Sequence, residues 1–128
     1  MAISRLLAAG LFASLSWTTA HADPGTTASG EIAFHRSCAA CHSLEKEKHR
    51  IGPSLFSIYG KKSGQSPDFR YSDAMQKLDI TWTDENLSGW LADSQKFAPS
   101  SKMWLKIPDD KTRQDIIAFL KAQGPPQQ

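Results

Sequence analysis

Apolar side chains recur at the spacing of an amphipathic helix at Leu87, Trp90 and Leu91 and again at Ile116, Phe119 and Leu120, and two further stretches carry apolar residues or a helix cap. The pattern predicts helices over residues 30–42, over 72–78, after Thr83, and from Asp109 or Asp110 onward. Ser72, Thr83 and the two aspartates are good N-cap residues, and Gly124 followed by prolines ends the last helix. No stretch of useful length alternates as a half-buried strand does.

Long irregular segments separate these helices. Residues 43–71 contain five glycines or prolines, and residues 98–106 carry no helical pattern. The predicted fold class is therefore all-α, with about four short helices and long loops. Loops of this length in a compact domain are usually functional or wrapped around something.

Composition narrows the class of protein further. The 128 residues suit one domain, and a formal net charge of +2 without a dense Lys/Arg block argues against a nucleic-acid partner. Two cysteines are too few for a disulfide scaffold. No apolar run approaches the ~18 residues of a membrane span, so we expect none.

The N-terminal residues have the features of a secretory signal peptide. Arg5 is followed by a mostly apolar stretch to Trp17, and Ala20 and Ala22 are the small residues that a signal peptidase selects. We expect residues 1–22 to be removed and residues 23–128 to form the domain, exported to the periplasm. A buried N-terminal helix or an uncleaved anchor is the alternative.

Candidate chemistry is concentrated in the sequence Cys38-Ala-Ala-Cys41-His42. On a helix, Cys38 lies three residues from Cys41 and four from His42, so all three side chains share one face. Two thiols at this spacing can add to the vinyl groups of a haem, and the histidine then lies under the iron. The motif predicts one covalently attached haem c.

Two other uses of these residues compete with the haem. A thioredoxin-like dithiol also has the Cys-x-x-Cys spacing, but it requires a βαβ context that the pattern lacks. A structural zinc ion needs four ligands, so His35 or His49 would have to join the three residues of the motif.

A haem iron bound to His42 has a second axial position. His35 and His49 lie too near His42 in sequence to reach the opposite face easily. Met103, in the irregular segment Pro99-Ser-Ser-Lys-Met103, can approach the iron without bending a helix. We expect Met103 to be this ligand, with Met75 or an open iron face as alternatives.

The order and spacing of several motifs resemble those of class I c-type cytochromes, the soluble monohaem proteins of mitochondria and bacteria. The resemblance covers nearly all of residues 30–121, and its matching pieces include Cys38-Ala-Ala-Cys41-His42, Gly52-Pro53, Tyr59-Gly60, Phe69-Arg-Tyr71-Ser72, Ile80-Thr-Trp82, Lys96-Phe97-Ala-Pro99-Ser-Ser-Lys102-Met103 and Ile116-Ile-Ala-Phe119-Leu120.

The resemblance implies a fold and a set of roles. The helices would wrap around one covalently bound haem, with the first and last crossing at Gly30, Phe34, Ile116 and Phe119. The methionine matching Met103 would ligate the iron, and the Pro53 carbonyl would orient His42. Tyr71 and Trp82 would bond a haem propionate.

The chain also departs from the family's usual pattern. Serine at position 100 replaces a glycine in the methionine loop, which costs ~1–2 kcal/mol if that position has a positive φ. Other replacements are Lys61 for an arginine, Trp90 for a tyrosine, Met75 for a polar residue and Gln95 at a place that commonly carries lysine.

These features predict a periplasmic one-electron carrier rather than an enzyme. The iron would cycle between Fe(III) and Fe(II) with His42 and Met103 as axial ligands, and redox proteins would be its partners. We expect a monomer. The alternatives are a cytochrome c subunit of a periplasmic dehydrogenase or oxidase, a haem protein whose open iron binds small ligands or peroxide, and a dithiol module without haem.

Overall fold

A computed structural model describes residues 25–124, so the predicted signal peptide lies outside the described residues. This part of the chain contains five helices: α1 (Thr27–Ser37), α2 (Asp73–Lys77), α3 (Asp84–Ala92), α4 (Ser94–Phe97) and α5 (Asp110–Ala122). Its extended pairing is limited to an isolated antiparallel bridge between Lys62 and Thr81. The all-α class is confirmed. No helix between residues 25 and 124 combines the length and hydropathy needed to cross a membrane.

Three helices begin where the capping residues predict. The Ser72 hydroxyl accepts the Met75 N–H at the start of α2, and the Thr83 hydroxyl caps α3 in the same way. The Asp109 carboxylate accepts the Thr112 N–H at 2.7 Å at the start of α5. Each cap satisfies an amide that has no partner within its own helix, so these boundaries follow from local sequence.

The first helix differs from its prediction at both ends. It begins at Thr27, capped by Thr26, and ends at Ser37, whereas the pattern predicted 30–42. The backbone leaves the helix at Cys38 and forms a separate turn, in which the N–H groups of Cys41 and His42 both donate to the Cys38 carbonyl. The haem motif therefore lies on a hydrogen-bonded turn after α1.

Helix α4 was missed by the sequence pattern, which predicted about four helices. Its four residues are too few to show a helical period, although its cap is ordinary: the Asp93 carboxylate accepts the Lys96 N–H at 3.0 Å. The segment after α4 is irregular, as predicted, and contains Ser100 at φ +68°.

Helices α1 and α5 cross at the centre of the core. Phe34 and Ile116 are fully buried there, and the rings of Phe34 and Phe119 lie 5.4 Å apart. A Cβ atom at Gly30 would overlap the Asp115 carbonyl and lie 2.6 Å from the Phe119 Cβ. Glycine is required because a larger residue would separate the two backbones. The crossing predicted from the resemblance is confirmed.

Candidate haem site

An apolar cavity of about 380 Å³ lies between the helical core and the two long irregular segments. Its wall contains every candidate site residue of the sequence analysis, although these residues come from five separate parts of the chain: Cys38, Cys41, His42, Pro53, Tyr71, Trp82 and Met103. Leu87, Leu91 and Leu120 add aliphatic surface from α3 and α5. The arrangement suits a large, flat, mostly apolar group.

The His42 imidazole is held in one orientation. Its Nδ1–H donates to the Pro53 carbonyl at 2.7 Å, and Nε2 is thereby left with its lone pair. Burial lowers the pKa of His42, while the bond to Pro53 acts in the opposite direction. A neutral imidazole with a free Nε2 is the form that binds a metal ion.

Gly52 makes room for this imidazole, a role that the sequence analysis did not assign. A Cβ atom at position 52 would lie 2.7 Å from the His42 Nδ1 and would overlap Cε1. The Gly52 N–H also donates to the Cys41 carbonyl at 2.8 Å, so the main chain at Gly52 is held against the main chain of the motif. The adjacent Gly-Pro pair was the available signal, but only its proline was interpreted.

The two cysteines of the motif are free thiols on the cavity wall. Burial, together with the nearby Cys41, raises the pKa of the Cys38 thiol to about 11. Both cysteine side chains line the cavity, where a covalently attached group would be held.

Both candidate methionines reach the cavity. Met75 is buried on α2, and Met103 is half-buried on the irregular segment after α4. The Met103 carbonyl is 2.7 Å from the Gln95 Nε2 and 2.8 Å from the Ser94 hydroxyl, both of which donate to it. The main chain at Met103 is thus fixed by side chains of α4.

Tyr71 and Trp82 lie on the cavity wall with different surroundings. The Tyr71 hydroxyl accepts the Ser66 N–H at 3.2 Å. Trp82 is buried 5.9 Å from the Trp90 ring, and its main chain pairs with Gly60 and Lys61. Both rings can present a polar hydrogen to an acidic group in the cavity.

The histidines proposed as alternative zinc ligands have other surroundings. Both nitrogens of His49 are used, because Nε2–H donates to the Pro67 carbonyl and Nδ1 accepts the Ser54 N–H. His35 is exposed and meets the Phe34 ring edge-on. Between residues 25 and 124, no three His, Cys, Asp or Glu side chains assemble as a metal site.

Two large apolar side chains stand at the rim of the cavity. Ile51 is 81% exposed and Trp104 is 82% exposed, although both line the cavity. Lone exposed apolar residues are common, but two that line the same cavity form a candidate contact surface.

An all-α chain that places a Cys-x-x-Cys-His turn on an apolar cavity has the architecture of a c-type haem protein. The family model described as cytochrome c matches residues 27–123. Cytochrome c2 of Rhodopila globiformis is 39% identical over 101 residues, covering 78% of this chain and 95% of that relative. Cytochrome c of Sesamum indicum is 38% identical over 104 residues, covering 78% and 92% respectively.

A solved structure supports the same assignment. Cytochrome cH from Methylobacterium extorquens superposes with a TM-score of 0.71 at 42% identity, covering 77% of this chain and 99% of the other. The chain belongs to the cytochrome c family. It is an electron-transfer protein rather than an enzyme, its fold is the cytochrome c fold, and its cofactor is one covalently attached haem c.

The cavity fits this cofactor. Its wall is mostly apolar, as the face of a porphyrin requires, and it carries two thiols, an imidazole and thioethers from different segments. Gly52 leaves the space that the imidazole occupies, so the donor set is accommodated without displacing backbone.

Proposed function

We propose that the protein is a periplasmic one-electron carrier whose haem iron alternates between Fe(III) and Fe(II), with His42 and Met103 as axial ligands. The observation that carries the proposal is the pairing of donors at one cavity. His42 has its Nδ1 bound to the Pro53 carbonyl, and Met103 reaches the same cavity from a segment anchored by α4.

The remaining candidate residues would hold the haem in place. Cys38 and Cys41 would form the two thioether bonds, and Tyr71 and Trp82 would donate to a propionate. The haem supplies the redox centre when it is bound, while the chain orients the imidazole and keeps water from the apolar wall. A soft thioether favours ferrous iron, so His/Met ligation raises the reduction potential relative to two nitrogen donors.

The exposed rim supports exchange of electrons with partner proteins. Ile51 and Trp104 are more than four-fifths exposed beside the cavity, so a redox protein can contact the chain close to the haem. We propose that the domain, residues 23–128, acts as a monomer with such donor and acceptor proteins.

The proposed location depends on the N-terminal sequence. Arg5, the apolar stretch that follows and the Ala20-His21-Ala22 segment support cleavage before Asp23 and export to the periplasm. Intact mass spectrometry of protein from the periplasmic fraction should give a chain beginning at Asp23 plus one haem. Recovery of the full-length chain in the cytoplasmic fraction would contradict this location.

Replacement of the two methionines tests the axial assignment. Ferric haem bound to a thioether sulfur has a weak absorption band at the near-infrared edge. Met103→Ala should abolish this band, lower the reduction potential and let imidazole bind the ferric iron. Met75→Ala is the matched control and should retain the band, and the opposite pattern would transfer the ligand role to Met75.

A further inference from the structure

Gln95 is the second residue of α4, and its side chain crosses to the segment that carries Met103. Its Nε2 lies 2.7 Å from the Met103 carbonyl and 2.9 Å from the Ser101 carbonyl. It also lies 3.1 Å from the Ser101 hydroxyl. A primary amide has two hydrogens, so Gln95 can donate to both carbonyls at once.

Ser94 reinforces the same contact from a fully buried position. Its hydroxyl lies 2.8 Å from the Met103 carbonyl and accepts the Leu105 N–H at 2.9 Å. Its own N–H donates to the Leu105 carbonyl at 3.0 Å. The main chain is therefore held on both sides of Met103.

The segment needs this support because its own backbone is irregular. Residues 98–106 form neither helix nor strand, and Ser100 has the left-handed φ of +68° that serine adopts reluctantly. Met103 itself has several rotatable bonds, so the position of its sulfur depends on where the main chain is anchored.

We propose that Gln95, with Ser94, is a positioning residue that keeps the Met103 sulfur on the iron. The proposal rests on the axial assignment of Met103 given above. Because Gln95 is an uncharged amide, it donates to both carbonyls without a proton that titrates. Loss of its amide should increase the fraction of molecules in which the sulfur has left the iron.

The experiment uses the purified holoprotein at pH 7 and compares wild type with Gln95→Leu and Gln95→Glu. Leucine removes the donors, and glutamate replaces them with acceptors that face two carbonyls. Both variants should bind imidazole at the ferric iron about tenfold more tightly, a factor that corresponds to ~1.4 kcal/mol. The sulfur-to-iron absorption band should weaken and the reduction potential should fall.

Gln114→Leu is the matched control. The Gln114 amide donates to Asp110 within α5, at an exposed position away from Met103. This variant should keep the imidazole affinity, the absorption band and the potential of wild type. Ser94→Ala should change these three quantities in the same direction as Gln95→Leu.

Two results distinguish failure of this proposal from failure of the axial assignment. If both Gln95 variants retain the imidazole affinity and the reduction potential of wild type, the positioning role is refuted. A lower unfolding temperature with both quantities unchanged refutes it as well, because it shows a purely structural effect. If Met103→Ala leaves the band and the potential unchanged, Met103 is not the ligand and the axial assignment fails first.

Discussion

Ser100 adopts a backbone conformation that favours glycine. Its φ of +68° brings the serine Cβ close to its own carbonyl, at a cost of ~1–2 kcal/mol. Glycine removes that strain but gives the unfolded chain more freedom, which opposes part of the gain. Ser100→Gly should therefore raise the free energy of unfolding by about 0.5–1 kcal/mol, measured by guanidinium titration of the holoprotein.

Ser66→Gly is the control for this prediction. Ser66 is a half-buried serine in an irregular segment, and its φ is not positive. Glycine therefore relieves no strain there and only raises the conformational entropy of the unfolded chain. It should destabilise the protein slightly. A loss of stability in Ser100→Gly as large as that in Ser66→Gly would exclude strain at position 100.

The close approach of Gly52 to His42 gives a second prediction at the residue scale. In Gly52→Ala, the new methyl group would overlap the imidazole, so the ring or the backbone must shift. Overpacking of this kind costs ~1–3 kcal/mol, and here it should also disturb the bond from Nδ1 to the Pro53 carbonyl.

Gly52→Ala should therefore lower the unfolding temperature and alter the haem spectrum at neutral pH. Gly124→Ala is the control, because a Cβ there meets its nearest atom at an ordinary 3.6 Å. Identical spectra for wild type and Gly52→Ala would mean that the imidazole has more space than the structure indicates.

Asp115 joins the first and last helices. Its carboxylate accepts the Thr26 N–H at the start of α1 and the Lys111 ammonium one turn earlier on α5. The bond from Lys111 is the largest cause that lowers the pKa of Asp115; burial acts against it, and the Thr26 N–H adds to the lowering. The stabilisation is therefore complete above the ordinary value of 3.8 and is lost as pH falls through the lower folded-state value.

Asp115→Asn should lower the free energy of unfolding by about 1 kcal/mol at pH 7, since an amide cannot form the ion pair with Lys111 that the carboxylate forms. The difference from wild type should shrink as pH falls below 3.8, because the unfolded wild-type chain takes up the carboxylate proton before the folded chain does. Asp79→Asn is the control, because Asp79 pairs with Lys62 on the exposed surface. A constant difference across the pH titration would exclude the ionised carboxylate as its cause.

The helix boundaries show which local sequence signals were sufficient to predict where a helix begins. Ser72, Thr83 and Asp109 cap helices where the sequence predicted, because a cap depends on amides only two or three residues away. The end of α1 at Ser37 and the existence of α4 were not predicted. A four-residue helix has no measurable period, and α1 ends where its chain turns toward the cavity.

The haem cavity adjoins the apolar core, and Trp82, Leu91 and Leu120 belong to both. Helices α1, α3 and α5 and both long irregular segments contribute to its wall. The haem supplies apolar surface that these elements bury together, at ~25 cal/mol per Å². Folding of the chain and binding of the cofactor should therefore be coupled.

Replacement of both attachment residues tests this coupling. Cys38→Ser with Cys41→Ser should give an exported chain without covalent haem that is largely unfolded by circular dichroism. Wild type should unfold cooperatively and keep its haem through acid–acetone extraction, because thioether bonds survive denaturation. A cooperative thermal transition in the haem-free double variant would show that the apolar elements close without the cofactor.

Much of the site could be predicted from the sequence. Cys38, Cys41 and His42 lie within five residues, so the motif is visible in the sequence, and together with the export signal and a later methionine it predicted a haem. The family motifs predicted the bond between Pro53 and His42. The role of Gly52 in making space for the imidazole was not predicted, because that contact depends on how the irregular segment between His42 and Gly52 folds back. Gln95 was interpreted only as the replacement of a lysine that the family commonly has, whereas its amide donates a hydrogen bond to the Met103 carbonyl.

By itself, the sequence determined the all-α class, the principal helix caps and the Cys-x-x-Cys-His motif. These follow from interactions within about four residues, which a linear pattern records directly. Only the tertiary structure decided where α1 ends, which glycine admits His42 and which side chains hold Met103. Each of these depends on atoms brought together when irregular segments close over the cavity, and residues in irregular segments have no period that reveals their neighbours.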